Sequence, residues 1–383
     1  MVQVGAGCQE SFVEAVELNY FEQLLKEAHS KGAADIILTV GAPPRAKKNH
    51  SLIDLSSDDM TSDHMTQIVQ ELVPQRLFTN LLADGSVDFS HTCQDGRIRF
   101  NVFRQRGDWA LVGRLVSNNI PSLDSLGLPD TINKIIQRRQ GLVLLTGSTG
   151  SGKTTTLAAI IDYLNSTESL HIISIEDPIE FLHTNKRSSV EQIEVGQDAP
   201  SFAAALRGNL RRAPDVIVIG EMRDQESIQQ ALVLAETGHL VLSTLHTDDS
   251  VHAISRIVDV FPKDAQEQMY YLLSQVLVAV ITQALLPTQN KSGVVLAYEI
   301  LIVTQAVQRL IRDRRPEQIY SVIQTAGAEG MCTLNDCLER LALKGVISES
   351  VAMSRSTQPK WLEQRLAAMK SKEEDKSKWF GRR

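Results

Sequence analysis

A glycine-rich loop near the middle of the chain has the residue types needed to bind phosphate. The run GSTGSGKT, from Gly147 to Thr154, follows the apolar segment GLVLLT and precedes a segment with helical spacing. In such a loop the backbone N–H groups face phosphates, the lysine reaches the β- and γ-phosphates and the last hydroxyl binds Mg²⁺. We predict ATP and Mg²⁺ as ligands, the alternative being an ordinary turn before a helix. The predicted nucleotide contacts are Gly147, Ser148, Thr149, Gly150, Ser151, Gly152, Lys153, Thr154 and Thr155.

Hydrolysis also needs carboxylates, and two other segments offer them. DVIVIGE ends on Glu221, but Gly220 stands where many P-loop ATPases carry a first acid. We therefore predict Glu221 as the acid on the Mg²⁺ side, with Thr154, and expect the general base elsewhere. IEDPIE places three more acids after the apolar run HIIS, and Glu180 is our predicted base for the attacking water. Taken alone, an acidic turn is more often a solvated loop.

Two histidines flank the apolar run of GHLVLSTLHT. His239 precedes this run and His246 follows it. Their spacing would place them on opposite faces of a strand, so a shared metal ion is not expected. His246 at the carboxyl end of a parallel strand can contact a γ-phosphate. For His239 a structural role is equally open.

Nearer the N-terminus, RIRFNVFR alternates apolar and polar residues, as a strand with one buried face does. Its arginines are then displayed on the other face, which is most often only a solvated surface. If a neighbouring subunit's ATP site lies opposite, a guanidinium there can stabilise the charge on the transferred phosphoryl group. We predict Arg99 and Arg114 as such catalytic arginines acting in trans.

The elements around these residues predict two domains. A helix from Phe21, the strand DIILTV, the helix Thr61 to Leu72 and three later strands indicate a small α+β domain at residues 1–116. The Ser-, Asn- and Pro-rich segment 117–129 is the predicted linker. Apolar runs then alternate with helices over residues 130–300, which predicts an α/β core with a mostly parallel sheet. Residues 301–369 are predicted to be helical and 370–383 to form a solvated, charged tail.

Composition excludes several classes of protein. The chain has 383 residues, a net charge of −7 and 22% charged residues. A protein that works mainly by neutralising the phosphate charge of nucleic acid is therefore not expected. The four scattered cysteines fit no common zinc pattern and indicate reduced thiols. The longest apolar run, around Val276 to Leu286, is too short to cross a bilayer and is predicted to be a buried helix. No secretory signal is recognised, so contact with a membrane is expected only through a partner.

Several motifs occurring in order resemble the secretion and type IV pilus ATPases, and among these the PilT/PilU retraction group. They are GRIRFNVF, GLVLLTGSTGSGKTTT, HIISIEDPIEF, RRAPDVIVIGEMRD, AETGHLVLSTLHT and RIVDVFP. They correspond to the family's arginine strand, Walker A loop, Asp box, atypical Walker B and His box. The segment AVQRLIRD is similar to the family's AIRNLIRE motif but differs at Gln308 and Arg309.

This resemblance implies a PAS-like N-terminal domain joined to a RecA-like ATPase core with a helical C-terminal region, assembled as a homohexamer. By position it makes Glu180 the catalytic base, Glu221 the Walker B acid and His246 the phosphate sensor. It implies a cytoplasmic motor at the inner membrane that acts on a PilC-like platform protein, alone or beside a paralogous retraction ATPase. Extension motors usually carry a further N-terminal domain and repeated CxxC pairs, so retraction is expected here. The alternatives are an accessory ATPase with weak turnover and a RecA-like nucleic-acid motor.

Overall fold

A computed structural model describes residues 20–48, 51–93, 96–115, 119–209, 211–290 and 293–380. The chain divides into two compact units, with the boundary between Asn119 and Ile120. The short segment Glu180–Leu182 groups with the first unit, and the rest of the chain beyond Asn119 forms the second. Among the described helices, none combines the length and the apolar character that crossing a bilayer requires.

The first unit is built on one antiparallel sheet of six strands, in the order β3-β2-β1-β6-β5-β4. The helix Ser62–Leu72 is capped by the side chain of Thr61, which accepts a hydrogen bond from the N–H of His64. The strands are β1 (Asp35–Thr39), β2 (Arg45–Lys48), β3 (Ser51–Asp54), β4 (Ser86–Cys93), β5 (Gly96–Gln105) and β6 (Asp108–Leu115). The helices are α1 (residues 20–30), α2 (Ser62–Leu72) and α3 (Gln75–Asp84).

Alternation along β5 explains how this sheet buries one face. Ile98, Phe100 and Val102 are buried in the core of the unit, whereas Arg99 between them is exposed. Strands β5 and β6 form a hairpin whose Gln105 and Asp108 pair across the turn. Both turn residues have positive φ, as two-residue hairpins with a mirror-image turn require, and the second of them is Gly107.

The second unit contains a seven-stranded sheet in the order β13-β12-β7-β11-β10-β8-β9. All neighbouring pairs are parallel except β12 with β13, which is antiparallel. The strands are β7 (Gly141–Thr146), β8 (His171–Glu176), β9 (Ser189–Glu194), β10 (Val216–Ile219), β11 (Leu240–Leu245), β12 (Leu277–Pro287) and β13 (Val294–Ile302). Because β7, β11 and β10 are adjacent and parallel, their carboxyl ends lie at the same edge of the sheet.

Helices cover both faces of this sheet, and a separate apolar core lies on each face. The helices are α4 (Thr131–Ile136), α5 (Lys153–Thr167), α6 (Phe202–Asn209), α7 (Gln225–Glu236), α8 (Ser250–Asp259), α9 (Gln266–Val276), α10 (Gln305–Arg312), α11 (Ile319–Thr325), α12 (Leu334–Leu343), α13 (Glu349–Arg355) and α14 (Pro359–Phe380). Helices α5 and α12 contribute to one core, and α7 and α8 to the other.

The apolar run around Val276 to Leu286, which we predicted to be a buried helix, forms strand β12, so this prediction was wrong. Strand β12 pairs with β7 on one side and β13 on the other, and its side chains are buried on both faces. A strand covered on both faces is apolar at nearly every position and loses the alternation that would mark it as a strand.

Two segments differ from their expected form. Residues 120–129, inside the segment predicted to be a linker, lie in the second unit, and Leu123 is buried there in a short 3₁₀ helix, Leu123–Leu126. At the other end, α14 continues as a helix to Phe380, through most of the segment predicted to be the charged tail.

Candidate nucleotide-binding and hydrolysis site

The glycine-rich loop connects the carboxyl end of β7 to the N-terminus of α5. Gly147 has a φ of 141°, and a Cβ atom there would lie 2.3 Å from the carbonyl oxygen of Gln283. Gly152 has a φ of 90° and is the N-cap of α5. The loop can follow this path because glycine tolerates positive φ and allows close approach of another backbone. The first N–H groups of α5 have no partner within the helix, and this path of the loop leaves them available to a ligand.

Lys153 folds back over this loop. Its ammonium donates hydrogen bonds to the carbonyl oxygens of Gly147 at 2.7 Å and Ser148 at 3.0 Å. Only 7% of the residue is exposed. Burial lowers the pKa of Lys153, while the nearby carboxylates of Glu221 and Asp248 act in the opposite direction. The Lys153 amine thus lies close to two acids at the place where phosphate is expected.

Some buried polar atoms beside the loop have no hydrogen-bond partner. They include Oγ of Ser151 in the loop itself and Oε1 of Gln283 on β12. The amide nitrogen of Gln283 donates to Oγ1 of Thr156 at 2.8 Å, which fixes this side chain against α5. Thr247, which follows His246, also has a buried hydroxyl without a partner. Buried polar groups are normally paired, so these atoms mark places for a polar ligand or its water.

Glu221 and His246 are brought together beside the loop. Strand β11 lies between β7 and β10, so the residues that follow these three strands are neighbours. His246 Nε2 is 3.2 Å from Glu221 Oε1, and Arg223 Nε donates to the other carboxylate oxygen of Glu221 at 2.7 Å. About 20% of the Glu221 side chain is exposed. The predicted acid and the predicted phosphate sensor thus form one polar cluster.

The structure also explains the glycine that precedes Glu221. A Cβ atom at Gly220 would lie 3.3 Å from the carbonyl oxygen of Ile175 and 3.4 Å from the Cα of Glu176. The Gly220 N–H donates to the same carbonyl at 2.8 Å. A side chain at this position would make tight contacts between β10 and β8, so the packing favours the glycine.

The acids after β8 have separate environments. Glu176 Oε1 accepts hydrogen bonds from Ser174 Oγ at 2.8 Å and Gln192 Nε2 at 3.1 Å, so this carboxylate is held at the end of its own strand. Glu180 is exposed and groups with the first unit. Its role as general base therefore stays a prediction.

The predicted arginines are neighbours on the sheet of the first unit. Arg99 on β5 and Arg114 on β6 are direct cross-strand partners, and Asp35 on β1 lies opposite Arg114. Nε of Arg114 donates to the Asp35 carboxylate at 2.9 Å, while 72% of the arginine side chain remains exposed. The structure thus displays both guanidinium groups on one face, and their catalytic role stays a prediction.

His239 has a structural environment. Its Nδ1 is 3.0 Å from the carbonyl oxygen of Leu234 and 3.3 Å from Oγ1 of Thr237, at the end of α7. These contacts close the turn between α7 and β11. Of the two alternatives left open for His239, the structural one fits its contacts.

Two features of the site lay outside our sequence prediction. Asp248, two residues after His246, raises the pKa of Lys153. The two residues are close because β11, which precedes Asp248, lies next to β7, which precedes the phosphate loop. A cavity of about 410 Å³ adjoins the loop at Gly152 and Thr155. Its walls are largely apolar and include Leu126, Leu285 and Leu296.

A phosphate-binding loop, a buried lysine and an acid–histidine pair at the carboxyl edge of a parallel sheet define a P-loop ATPase. The family model described as type II/IV secretion system protein matches residues 18–377. The chain therefore belongs to this family of secretion ATPases.

Similar proteins lie within the pilus branch of the family. The type IV pilus retraction ATPase PilT of Pseudomonas aeruginosa is 39% identical over 338 residues, which are 88% of this chain and 98% of PilT. A twitching motility protein of Neisseria gonorrhoeae is 44% identical, with 77% of this chain and 76% of the relative covered. The type IV pilus ATPase PilU of P. aeruginosa is 36% identical, with 88% of each chain covered.

A solved structure gives the same result. The crystal structure of the pilus retraction motor PilT with bound ADP matches with a TM-score of 0.84 and 45% identity, covering 89% of this chain and 98% of that chain. The predicted fold class, a PAS-like N-terminal domain followed by a RecA-like core, and the resemblance to the retraction group are confirmed.

Proposed function

We propose that this protein is an ATP-hydrolysing motor that powers type IV pilus retraction and thereby twitching motility. The observation that carries the proposal is the cluster of Lys153, Glu221 and His246 at one edge of the sheet. The retraction ATPase named among its relatives matches over nearly its whole length, so the site and the surrounding fold support the same function.

In this proposal Lys153 releases the loop carbonyls and turns to the β- and γ-phosphates, where its cation offsets phosphate charge. The loop N–H groups bind the remaining phosphate oxygens. His246 contacts the γ-phosphate and changes its contact with Glu221 when that phosphate leaves. Glu180 accepts the proton of the attacking water. The apolar cavity next to Thr155 receives the base of the nucleotide.

The residues present fit a magnesium ion held mainly by the nucleotide. Thr154 offers a hydroxyl at the first turn of α5, and Glu221 offers a carboxylate that can act through water. Within the described residues no group of three or more His, Cys, Asp or Glu is arranged to hold a metal, and Mg²⁺ in ATPases commonly uses one or two protein ligands together with phosphates and waters. When bound, the ion neutralises the charge that builds on the phosphates.

We further propose that six copies assemble into a ring at the cytoplasmic face of the inner membrane. Arg99 and Arg114 then complete the ATP site of a neighbouring copy. Nucleotide-driven motion of the two units acts on a PilC-like platform protein, which disassembles the pilus, and a paralogous ATPase of the PilU kind can act beside it. Contact with the membrane is made only through these partners.

Steady-state ATPase measurements test the chemical part of this proposal. Glu180→Gln should lower kcat strongly while nucleotide affinity is retained, because the carboxamide cannot accept the proton of the water. Glu363→Gln is the matched control, since Glu363 is an exposed glutamate on α14. Equal turnover by wild type and Glu180→Gln would contradict the assigned base, and negligible turnover by the wild type would favour an accessory ATPase.

A second experiment tests the biological part. Deleting the gene should leave cells with excess surface pili and without twitching, and expression of the wild-type chain should restore both. Fewer pili would identify an extension motor instead. The same purified protein can be assayed with single-stranded DNA or RNA, and clear stimulation of ATP hydrolysis would favour a nucleic-acid motor.

A further inference from the structure

A buried carboxylate at the edge of the second unit's sheet touches the first residues of two helices. Glu299 lies on the edge strand β13, and only 3% of it is exposed. Its Oε1 accepts hydrogen bonds from the N–H of Ser250 at 3.1 Å and from Oγ of Ser250 at 2.8 Å. The backbone N–H of Leu334 also acts to lower the pKa of this carboxylate, and Ile300, the residue after Glu299, exchanges backbone hydrogen bonds of 2.9 and 3.2 Å with Cys332, just before α12. Ser250 and Leu334 are the first residues of α8 and α12.

These contacts place Glu299 at the N-terminal caps of both helices. In α8 the N-cap Asp249 accepts from the N–H of His252, and in α12 the N-cap Thr333 accepts from the N–H of Asp336. The first N–H of each helix is left over by such caps and needs another acceptor. Glu299 supplies it for α8 and lies beside the first N–H of α12, so the positive ends of two helix dipoles favour its carboxylate form against the burial that raises its pKa.

The position of Glu299 connects it to the nucleotide site. Thr282 pairs directly with Glu299 on one side and with Thr146, the residue before the phosphate loop, on the other. Ser250 follows the loop 246–249, which contains His246 and Asp248. His246 in this loop lies 3.2 Å from Glu221, and Asp248 raises the pKa of Lys153. One end of the loop therefore adjoins the phosphate site, and the residue after its other end is hydrogen-bonded to Glu299.

The two helices belong to different layers. Helix α8 packs in the core on one face of the sheet, and α12 packs in the core on the opposite face. We propose that Glu299 is a positioning residue that links the loop 246–249 to the C-terminal helices, so that a change at the phosphate site shifts the start of α12. The proposal rests on the proposed function only in taking the ligand to be ATP. Glu299 acts through Ser250 and Leu334 and does not touch the nucleotide.

Hydrogen exchange of the full chain, with and without a non-hydrolysable ATP analogue, tests this link. In the wild type, analogue binding should change exchange at the start of α12 by about fivefold or more, as expected for coupled sites. Glu299→Gln should abolish that response while the phosphate loop is still protected, because the amide has only one acceptor oxygen and cannot accept from both Ser250 and Leu334. The control is Glu339→Gln, which alters another buried glutamate of α12 that pairs with Arg365 at 3.2 Å and should leave the response intact.

An unchanged α12 response in Glu299→Gln overturns the proposal, and so does an equal loss in Glu339→Gln. If Glu299→Gln does not fold, Ser250→Ala decides, since it removes one donor and keeps the carboxylate. Its response should be reduced, and an unchanged response overturns the link. The readout needs nucleotide binding but no turnover, so a wild type that responds to the analogue without hydrolysing ATP contradicts the proposed motor and leaves this link standing.

Discussion

The Nε2 atom of His246 lies 3.2 Å from the Oε1 atom of Glu221, at the edge of the sheet where Lys153 folds over the phosphate loop. The two residues end neighbouring strands, so the contact follows from the order of β10 and β11 in the sheet. A histidine in contact with this acid is placed to exchange it for a phosphate oxygen. That His246 responds to the γ-phosphate in this way is a prediction.

His246→Ala should lower kcat for ATP hydrolysis on the order of 10²-fold, the usual effect of losing one polar group that stabilises a transition state. ADP binding should change little, because ADP lacks the γ-phosphate. Steady-state kinetics and fluorescence titration with ADP measure the two effects. His29→Ala, at an exposed position of α1, is the control. If the affinity of the variant for ADP fell by the same factor as its kcat, a role of His246 at the γ-phosphate would be contradicted.

Two glycines of the phosphate loop should respond differently to the same substitution. Gly150 has a φ of 77° and open space where a Cβ atom would lie, so Gly150→Ala should cost only the backbone strain of about 1–2 kcal/mol. Gly147→Ala adds a clash with the carbonyl of Gln283 at 2.3 Å, which should cost about 1–3 kcal/mol more. Urea unfolding of both variants without nucleotide measures the difference. Equal destabilisation would contradict the close approach seen at Gly147.

The core of the second unit follows from its sequence to a large extent. The apolar runs of β7, β8, β10 and β11 predict buried parallel strands, and the strand-end positions of Glu221 and His246 predict that they meet. The run at β12 has the same composition, but it follows α9 directly, where Leu277 is the C-cap of the helix. An apolar run without alternation is compatible with both a buried strand and a buried helix. Here the run forms a strand because it pairs with β7.

Other elements depend on partners that are distant along the chain. The short strands β2 and β3 contain RAKK and SLID, which have little strand character, and they form through pairing with each other, with Arg45 opposite Asp54. Gln283 reaches Thr156 across 127 positions, and Glu299 reaches Ser250 across 49. Local spacing carries no signal for such contacts. These residues of the site were therefore missed, while the contiguous loop at Lys153 was found.

A buried hydroxyl pair next to the phosphate loop gives a third prediction. Oγ1 of Thr146 and Oγ1 of Thr282 are 2.8 Å apart, and neither residue is more than 3% exposed. Thr282→Val leaves the Thr146 hydroxyl buried without this partner, which should cost about 1–3 kcal/mol in the free energy of unfolding. Adding Thr146→Val removes the remaining polar group, so the double variant should be more stable than the sum of the single effects predicts. Strict additivity in a double-mutant cycle would contradict the hydrogen bond.

His183 should make the protein less stable in mild acid. Burial lowers the pKa of His183 from 6.5 to about 4, and Lys186 acts in the same direction while Asp162 opposes it. Between about pH 6.5 and 4 the unfolded chain therefore binds a proton that the folded chain does not bind. Stability rises with pH over this window and falls as the pH is lowered through it. The full effect is at most about 3–4 kcal/mol, from roughly 1.4 kcal/mol per pKa unit.

The measurement is the unfolding free energy of the wild type and of His183→Gln at pH 7 and pH 4.5. The variant cannot gain this proton, so it should lose less stability on acidification than the wild type does. His29→Gln, at an exposed position, keeps the buried histidine and should behave like the wild type. The same acid sensitivity in all three proteins would show that His183 does not control this limb of the stability curve.

Arg99 and Arg114 stand side by side on adjacent strands, where two like charges would repel each other. The ion pair of Arg114 with Asp35 at 2.9 Å offsets part of this repulsion. It also holds Arg114 against its own sheet. Arg99 therefore has the more available guanidinium of the two for an ATP site on another copy, and Arg99→Ala should lower kcat on the order of 10³-fold with little change in ATP affinity.

Mixing two inactive variants decides whether this arginine acts between subunits. Lys153→Ala removes ATP binding but keeps Arg99, whereas Arg99→Ala keeps the phosphate loop. If the arginine acts in trans, mixed assemblies contain intact composite sites, and ATPase activity should rise well above that of either variant alone. Arg104→Ala, which changes an exposed arginine of β5 that stacks on Trp109, should remain active. A mixture no more active than its components would show that Arg99 does not complete a neighbour's site.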